Sequence, residues 1–209
     1  SEEYLLKDLA YKSASELIRG YKAGHFSPLE VLDAVLDRID ECEGRLNAWR
    51  LIDRRRARRR ARASAARWTK GAPCGLLDGV PTAIKDVTET KDWPTLNGSL
   101  AINASGPWSV DAIVVERLKA HGAVILGKTE TPEYAWRGIT ESELHGVTHN
   151  PWNLDWTPGG SSGGAGAAVS TGMVAIATGT DSGGSIKWAC NTDSGTTVPS
   201  PLRPASCRD

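Results

Sequence analysis

Two glycine-rich loops that contain serines, on either side of one small apolar segment, constrain this chain more than any other feature. Residues 157–164 read TPGGSSGG and residues 180–185 read TDSGGS. Between them, residues 162–173 predict a closely packed helix and residues 174–178 predict an apolar strand. Glycine lets the backbone approach a ligand closely, and successive N–H groups in such turns bind anions. The pattern predicts serine hydroxyls beside anion-binding backbone, and the alternative is a pair of flexible loops.

Helix-start signals dominate the first third of the chain. Two capping boxes, in which a serine and a glutamate three residues later satisfy each other's free N–H groups, begin at Ser13 and Ser27. They predict a first helix that stops at Gly24 and a second helix that ends near Gly44. We expect a third helix over residues 47–68.

From residue 75 onward, short apolar segments alternate with helical patterns. Residues 79–84 predict a strand that leads into Lys85, residues 110–121 predict an amphipathic helix, and residues 123–126 predict a buried strand. This alternation indicates an α/β fold with a mixed β-sheet core flanked by helices. We divide the chain into three parts, which are an N-terminal helical region (1–70), a core that contains the serine loops (71–186) and a polar tail (187–209).

The composition excludes several classes of protein. Lys plus Arg and Asp plus Glu both number 25, so the net charge is zero, which excludes a globally basic nucleic-acid binder. No apolar run reaches the ~18 residues of a membrane span, and the first residues lack the apolar segment of a signal peptide. Four cysteines without CxxC spacing predict reduced thiols in the cytoplasm. The His and Cys spacing matches no ligand set, so we expect no metal and no cofactor.

A run of arginines stands out in this chain of zero net charge. Seven of the nine residues from 54 to 62 are arginine. One interpretation is a nucleic-acid or anionic-surface patch, and the other is a solvated helix face. The run is short, has no interleaved aromatic residues and belongs to a neutral chain, which favours the solvated face. A basic helix that binds nucleic acid stays open as a competing hypothesis.

Residues 122–129 match the P-loop expression GxxxxGK[ST], but their context does not fit a P-loop. A P-loop follows a strand and opens a helix. Here a predicted helix comes first, the four intervening residues are apolar, and Pro132 lies where the next helix would begin its second turn. We therefore predict a buried strand at this position and no phosphate site.

A serine nucleophile in the loops needs a base, and lysine fits this role better than histidine. None of the four histidines has an obvious aspartate partner, and no serine of the loop 180–185 lies in the GxSxG motif of α/β-hydrolases. Lys85 closes the apolar stretch 80–84 and should enter the interior, where loss of water favours the neutral amine. Lys128, which follows the predicted strand 123–126, is a second candidate.

The order of these motifs closely resembles the amidase signature family. The motifs are GVPTAIKD (79–86), GKT (127–129), TPE (131–133), NPW (150–152), PGGSSGG (158–164) and GTDSGGSI (179–186). The likeness extends from about residue 5 to residue 186, and paired serine loops preceded by a lysine are highly specific. Residues 71–186 would then be part of the family's catalytic core.

The resemblance implies a Ser–cis-Ser–Lys unit that hydrolyses a carboxylic amide C–N bond through an acyl-enzyme. Carried over, Ser185 is the nucleophile and Lys85 is the base. Ser161 is the bridging serine on a cis peptide bond, and Ser162 supports the next helix as a cap or first-turn residue. The implied oxyanion hole consists of the backbone N–H groups of Ser182, Gly183, Gly184 and Ser185.

The implied partner is a small-molecule amide, and we expect no nucleic-acid partner. Aryl or alkyl amides, indoleacetamide-like amides, cyclic amides and glutaminyl groups on a transfer RNA all stay open as substrates.

The chain departs from the family pattern at its end. Related chains are considerably longer, and their later part completes the sheet and shapes the substrate pocket. After Ile186, where the family continues with arginine, this chain has Lys187 and Trp188 and then a polar stretch. The alternative function is therefore a catalytically impaired fragment, truncated or frame-shifted. A sheet cut there would expose strand edges and apolar surface, so we expect self-association or a homo-oligomer.

Overall fold

A computed structural model of the chain describes residues 8–181. Its helices are α1 (Ala14–Ala23), α2 (Pro28–Leu46), α3 (Arg54–Thr69), α4 (Ile113–Ala120) and α5 (Gly163–Ser170). Its strands are β1 (Trp49–Ile52), β2 (Pro81–Lys85), β3 (Val124–Thr129), β4 (Glu141–Ser142), β5 (Gly146–Val147) and β6 (Ile176–Ala177). A single 3-10 turn, Glu133–Ala135, follows β3.

The predicted capping boxes begin α1 and α2. Ser13 and Ser27 are the N-caps, and both halves of each capping box are present. Gly24 ends α1 in the left-handed conformation, as predicted. Helix α2 continues two residues beyond Gly44, because Asn47 forms the cap with a φ of 49°. Asparagine tolerates this conformation better than most residues.

The predicted third helix was wrong in its first turns. Residues 49–52 form β1 instead, and α3 begins only at Arg54. Asp53 separates the two elements as the N-cap, where its carboxylate accepts a hydrogen bond from Arg56 N. The strand forms because β1 pairs with β3, with Leu51 opposite Lys128. Because its partner strand lies more than seventy residues away in the sequence, no local pattern around residues 49–52 predicts β1.

A four-stranded sheet with the order β1-β3-β2-β6 forms the centre of the described chain. Strand β1 is antiparallel to β3, whereas β2 is parallel to both β3 and β6. This confirms the predicted mixed sheet. Every residue of β2 and β3 is buried, as expected for central strands whose two faces are both covered.

The P-loop look-alike is the strand β3, as the sequence context predicted. Its last glycine, Gly127, has a structural reason, because an added Cβ would lie 1.8 Å from the carbonyl oxygen of Leu51 on the neighbouring strand. The other glycine, Gly122, has a φ of 81° and ends the turn after α4. Neither glycine belongs to a phosphate-binding loop.

Other predicted elements occur with shifted ends. Helices α4 and α5 are shorter than the predicted ranges 110–121 and 162–173. Strand β3 extends three residues past the predicted end at residue 126, and β6 occupies only the middle of the predicted strand 174–178.

The largest hydrophobic core joins the N-terminal helices to the sheet. Val31 and Leu32 of α2 and Ala57 of α3 belong to the same buried cluster as Ala83 of β2 and Leu126 of β3. The chain separates into one compact unit over residues 1–179 and a second over residues 180–209. Of the second unit, only residues 180 and 181 are described. The boundaries predicted at residues 70 and 186 stay predictions.

The arginine run lies on α3 and is partly neutralised by α2. Asp33 and Asp40 of α2 form ion pairs with Arg58 and Arg54. The exposed arginines of the run are Arg55, Arg59 and Arg62. Exposed ion pairs of this kind contribute little to stability, and they fit the interpretation of a solvated helix face. No helix within residues 8–181 is long and apolar enough to cross a membrane.

Candidate active site

Lys85 and Ser161, which lie far apart in the sequence, meet in the interior. Lys85 is the last residue of β2 and is fully buried. Its Nζ lies 2.6 Å from Ser161 Oγ and 3.0 Å from Ser162 Oγ. The backbone N–H of Lys85 donates to Thr178 Oγ1 at 2.9 Å, which holds this end of β2 beside the residues after β6. The structure thus brings together two of the three predicted catalytic side chains.

The loop that carries Ser161 is held by a buried threonine. The Gly160–Ser161 peptide bond is cis, the conformation that the family resemblance implies. Thr140 Oγ1 donates to Gly159 O at 2.8 Å and accepts from Gly163 N at 3.0 Å, so one hydroxyl fixes the loop on both sides of Ser161. Sequence reasoning missed Thr140, because it belongs to no motif and lies about twenty residues before the loop.

Close packing also explains a glycine in this loop. A Cβ added to Gly160 would lie 2.7 Å from the backbone of Ile139. Real Cβ atoms do not approach backbone atoms this closely, so any larger residue would displace the loop. The glycine next to Ser161 is therefore required for contact with the 139–140 segment.

The surroundings of Lys85 favour its neutral form. Burial lowers the pKa of Lys85 from its ordinary value of 10.5 to about 8. Its described side-chain partners include two hydroxyl groups, and a hydroxyl can donate a hydrogen bond as well as accept one. A neutral amine at this position can accept a proton from Ser161.

The structure corrects the expected contacts of Ser162. This residue occupies the N-cap position of α5, as predicted, but its hydroxyl makes no capping hydrogen bond. It lies 3.0 Å from Lys85 Nζ instead. The reason is geometric, because the end of the lysine side chain lies within hydrogen-bond distance of both hydroxyl groups before α5. Both serines therefore contact the lysine.

Lys128, the second candidate base, lies in a different environment. Its Nζ donates to Thr88 O and to Thr95 Oγ1, both at 2.7 Å, and lies 3.4 Å from the Asp86 carboxylate. Burial lowers the pKa of Lys128 to about 8, and the Asp86 carboxylate opposes this shift. None of its described contacts is to Ser161 or Ser162.

The hydrogen bonds and ion pairs of three described histidines are to groups other than Ser161. His145 is partly buried, its pKa is lowered to about 4 by burial, and its Nδ1 lies 3.2 Å from Glu130 Oε1. His149 contacts the carbonyl of Leu154, and His121 Nδ1 accepts from Leu76 N. Within residues 8–181, no histidine forms a hydrogen bond with Ser161.

The remaining residues of the predicted site are the nucleophile and the residues of the oxyanion hole. Ser182, Gly183, Gly184 and Ser185 lie outside the described residues. Among residues 8–181, no group of three or more His, Cys, Asp or Glu side chains could hold a metal ion.

A known protein family matches this chain over most of its length. The family model described as Amidase matches residues 30–191. The chain belongs to the amidase family. This amidase-family chain is 44% identical over 183 residues to a glutamyl-tRNA(Gln) amidotransferase subunit of Thermobifida fusca (strain YX), in a match that covers 87% of the chain and 36% of that relative. It is 42% identical over 181 residues to the indoleacetamide hydrolase of Bradyrhizobium diazoefficiens, in a match that covers 86% of the chain and 34% of that relative.

Two solved amidase structures resemble this chain in fold. A bacterial aryl acylamidase of the amidase signature family matches this amidase-family chain with a TM-score of 0.72 and 37% identity, over 80% of the chain and 35% of that structure. A second structure, described only as an amidase, matches with a TM-score of 0.78 and 33% identity, over 83% of the chain and 39% of that structure. The chain spans about a third of the length of the curated relatives it matches.

Proposed function

We propose that this chain carries the catalytic lysine and serines of an amidase that hydrolyses a carboxylic amide C–N bond. The observation that carries the proposal is the 2.6 Å contact between the buried amine of Lys85 and Ser161 Oγ. A lysine whose pKa is lowered to about 8 by burial can act as a base near neutral pH. Membership of the amidase family supports the same reaction class.

The first chemical step forms the acyl-enzyme. The neutral amine of Lys85 takes the proton of Ser161, and Ser161 Oγ takes the proton of Ser185. The freed Ser185 Oγ forms a bond to the amide carbonyl carbon, and the carbonyl oxygen becomes an oxyanion. Backbone N–H groups of residues 182–185 would stabilise that charge, since aligned donors act strongly on developing oxyanions.

The second step releases the amine, and the third releases the acid. The tetrahedral intermediate collapses, the C–N bond breaks, and the proton returns from Lys85 through Ser161 to the leaving nitrogen. An ester on Ser185 remains. Water then gives a proton to the same relay and attacks the ester carbon, which frees the carboxylic acid and returns the proton to Ser185. This sequence of proton transfers uses no cofactor.

The substrate class that we propose is a carboxylic amide. The relatives are named for a glutamyl-tRNA(Gln) amidotransferase, an indoleacetamide hydrolase and an aryl acylamidase. Different amide substrates therefore occur within the set of similar proteins, and we carry over only the amide group that they share. Cys42 and Cys74 are both free thiols, which fits the proposed cytoplasmic location.

The test is an amide hydrolysis assay with a panel of indole-3-acetamide, an aryl acylamide and glutamine. We expect the wild-type chain to release amine or ammonia from at least one of them, and Lys85→Met to lose this activity with the fold retained. Circular dichroism of both proteins is the control for folding. A folded wild-type chain that hydrolyses no amide would favour the alternative, a catalytically impaired fragment.

A further inference from the structure

A second buried lysine lies one strand away from Lys85 and serves a different purpose. In the parallel pairing of β2 and β3, Lys85 lies opposite Thr129 and Ile84 lies opposite Lys128. Because successive side chains of a strand point to opposite faces, Lys85 and Lys128 project to opposite faces of the sheet. Lys128 therefore cannot replace Lys85 at Ser161.

The partners of Lys128 fit an ammonium group. An ammonium has three N–H donors and no acceptor. Thr88 O and Thr95 Oγ1 each accept at 2.7 Å, and the Asp86 carboxylate lies at 3.4 Å. Thr90 Oγ1 at 3.5 Å is a third acceptor, so the set has acceptors for all three donors, and the Asp86 carboxylate adds an opposite charge. The described contacts of Lys85 include two serine hydroxyls, whereas those of Lys128 also include a carbonyl oxygen and a carboxylate.

These contacts fasten the segment that begins directly after Lys85. The N–H of Asp86 donates to Thr129 O at 3.0 Å, and the N–H of Thr88 donates to Lys85 O at 3.0 Å. The Asp86 carboxylate accepts from Leu96 N at 3.2 Å, which closes residues 86–96 into a loop. Lys128 reaches across from β3 and binds both the start and the end of that loop.

We propose that Lys128 is a positioning residue that anchors the 86–96 loop to β3 and so holds Lys85 at Ser161. The proposal rests on the proposed function, because it assigns a role toward the same base. Arg50 Nε, 3.5 Å from the other oxygen of Asp86, adds a second cation to the cluster. Glu89 is a further charged group that acts on Lys128.

We expect removal of the Lys128 side chain to displace Lys85 while Lys85 remains the base. A misplacement of about 1 Å at a reacting group costs about 100-fold in rate. Removal of that side chain should therefore slow acylation of the nucleophile while its pH dependence, which Lys85 sets, keeps the same midpoint. Burial is the cause of the lowered pKa of Lys85, so loss of the Lys128 charge leaves that cause in place.

The experiment compares the 209-residue wild-type chain with Lys128→Met, Thr95→Val and Lys85→Met. Two quantities are measured: the rate at which a fluorophosphonate labels Ser185 as a function of pH, and amide hydrogen exchange of residues 86–96 and of β2 by mass spectrometry. Thr95→Val removes one acceptor of Lys128 without a change of charge. It serves as the test variant if circular dichroism shows that Lys128→Met does not fold.

For Lys128→Met we expect labelling slower by about 100-fold with an unchanged midpoint, together with faster exchange confined to residues 86–96. Thr95→Val should also slow labelling and speed exchange of residues 86–96, but by less than Lys128→Met does. Lys85→Met should abolish the pH dependence of labelling. Loss of the pH dependence in Lys128→Met would make Lys128 the base and overturn the proposal. Faster exchange throughout the chain, with a labelling loss that matches the unfolded fraction, would reduce Lys128 to a stability role and overturn it as well.

The two proposals fail in different ways. If wild-type Ser185 is not labelled at any pH, the proposed function fails, and the exchange data still decide whether Lys128 anchors the loop. Unchanged exchange of residues 86–96 in both Lys128→Met and Thr95→Val would overturn the anchor itself.

Discussion

Gly164 packs against the backbone of Glu130 with no room for a side chain. A Cβ on Gly164 would lie 2.5 Å from Glu130 N and 2.7 Å from the carbonyl oxygen of Ala48. This contact sets the first turn of α5 against the residues that follow β3. Since Ser161 and Ser162 directly precede that turn, the position of both serines depends on it.

We predict that Gly164→Ala destabilises the chain by about 1–3 kcal/mol, the usual cost of overpacking against atoms that cannot move aside. Gly166, two residues later in α5, is the matched control, because a Cβ there would meet nothing within 4 Å. Gly166→Ala should be neutral or stabilising by about 0.5–1 kcal/mol through better helix propensity. Urea denaturation measures both, and equal effects of the two substitutions would contradict the packing argument.

The two serines at Lys85 should differ in their contribution to catalysis. Ser161 makes the shorter contact with Lys85 Nζ, 2.6 Å against 3.0 Å for Ser162, and it matches the bridging serine of the family. We expect Ser161→Ala to lower kcat/KM for amide hydrolysis by at least about 100-fold and Ser162→Ala by less than about tenfold. Equal losses, or a larger loss in Ser162→Ala, would assign the bridge to Ser162.

Local signals in the sequence predicted the parts of this fold that depend on local contacts. Both capping boxes begin helices as expected, because each bond in them joins residues three positions apart. The apolar stretch before Lys85 predicted a strand that carries the lysine inward, and the structure has that lysine fully buried. The resemblance to a family supplied the pairing of Lys85 with Ser161, which no period or spacing contains.

Contacts between distant residues could not be predicted in this way. Strand β1 forms only by pairing with β3, so the start of the helix predicted over residues 47–68 was wrong. Thr140 holds the serine loop through a hydroxyl that no motif identifies. The ion pair of Asp86 and Lys128 joins two motif residues whose separate positions did not indicate that they meet.

A buried amine should make stability depend on pH in a defined window. The pKa of Lys85 falls from 10.5 to about 8 on folding because of burial. Between these values the Lys85 amine binds more protons in the unfolded chain than in the folded chain, so its contribution to stability rises with pH there. Below about pH 8 the amine is protonated in both states, and this contribution is constant.

A Lys85→Met variant isolates this effect, because the other titrating groups remain in both proteins. We predict that the stability of the wild type relative to Lys85→Met rises as pH increases from about 8 to about 10.5, and stays level below about 8. Urea denaturation at intervals across this range is the measurement. A constant difference at every pH would show that Lys85 keeps its ordinary proton affinity.

We expect self-association to involve an exposed cleft that contains three exposed apolar side chains among polar ones. Trp156 is 65% exposed, and with Val147 and Leu154 it lines a cleft of about 330 Å³. Apolar surface collected in one cleft favours association more than isolated exposed residues do. Leu76, which is 78% exposed, lies outside this cleft and provides the comparison.

We expect the wild-type chain to sediment with a coefficient that increases with concentration, and Trp156→Ser to weaken that dependence. Leu76→Ser should leave it unchanged. A wild-type chain that sediments as a monomer at all concentrations would contradict the expectation. The same weakening in both variants would place the association surface elsewhere.

The most direct test of the proposed mechanism is the labelling of Ser185 by a fluorophosphonate, a reagent that phosphonylates activated serine hydroxyls, in wild type and in Lys85→Met. We predict an adduct on Ser185, a rate that rises with pH through about 8 as Lys85 loses its proton, and a loss of at least about 100-fold in Lys85→Met. An adduct on another serine, or a Lys85→Met rate within about tenfold of wild type, would contradict the assignment of Lys85 as the base.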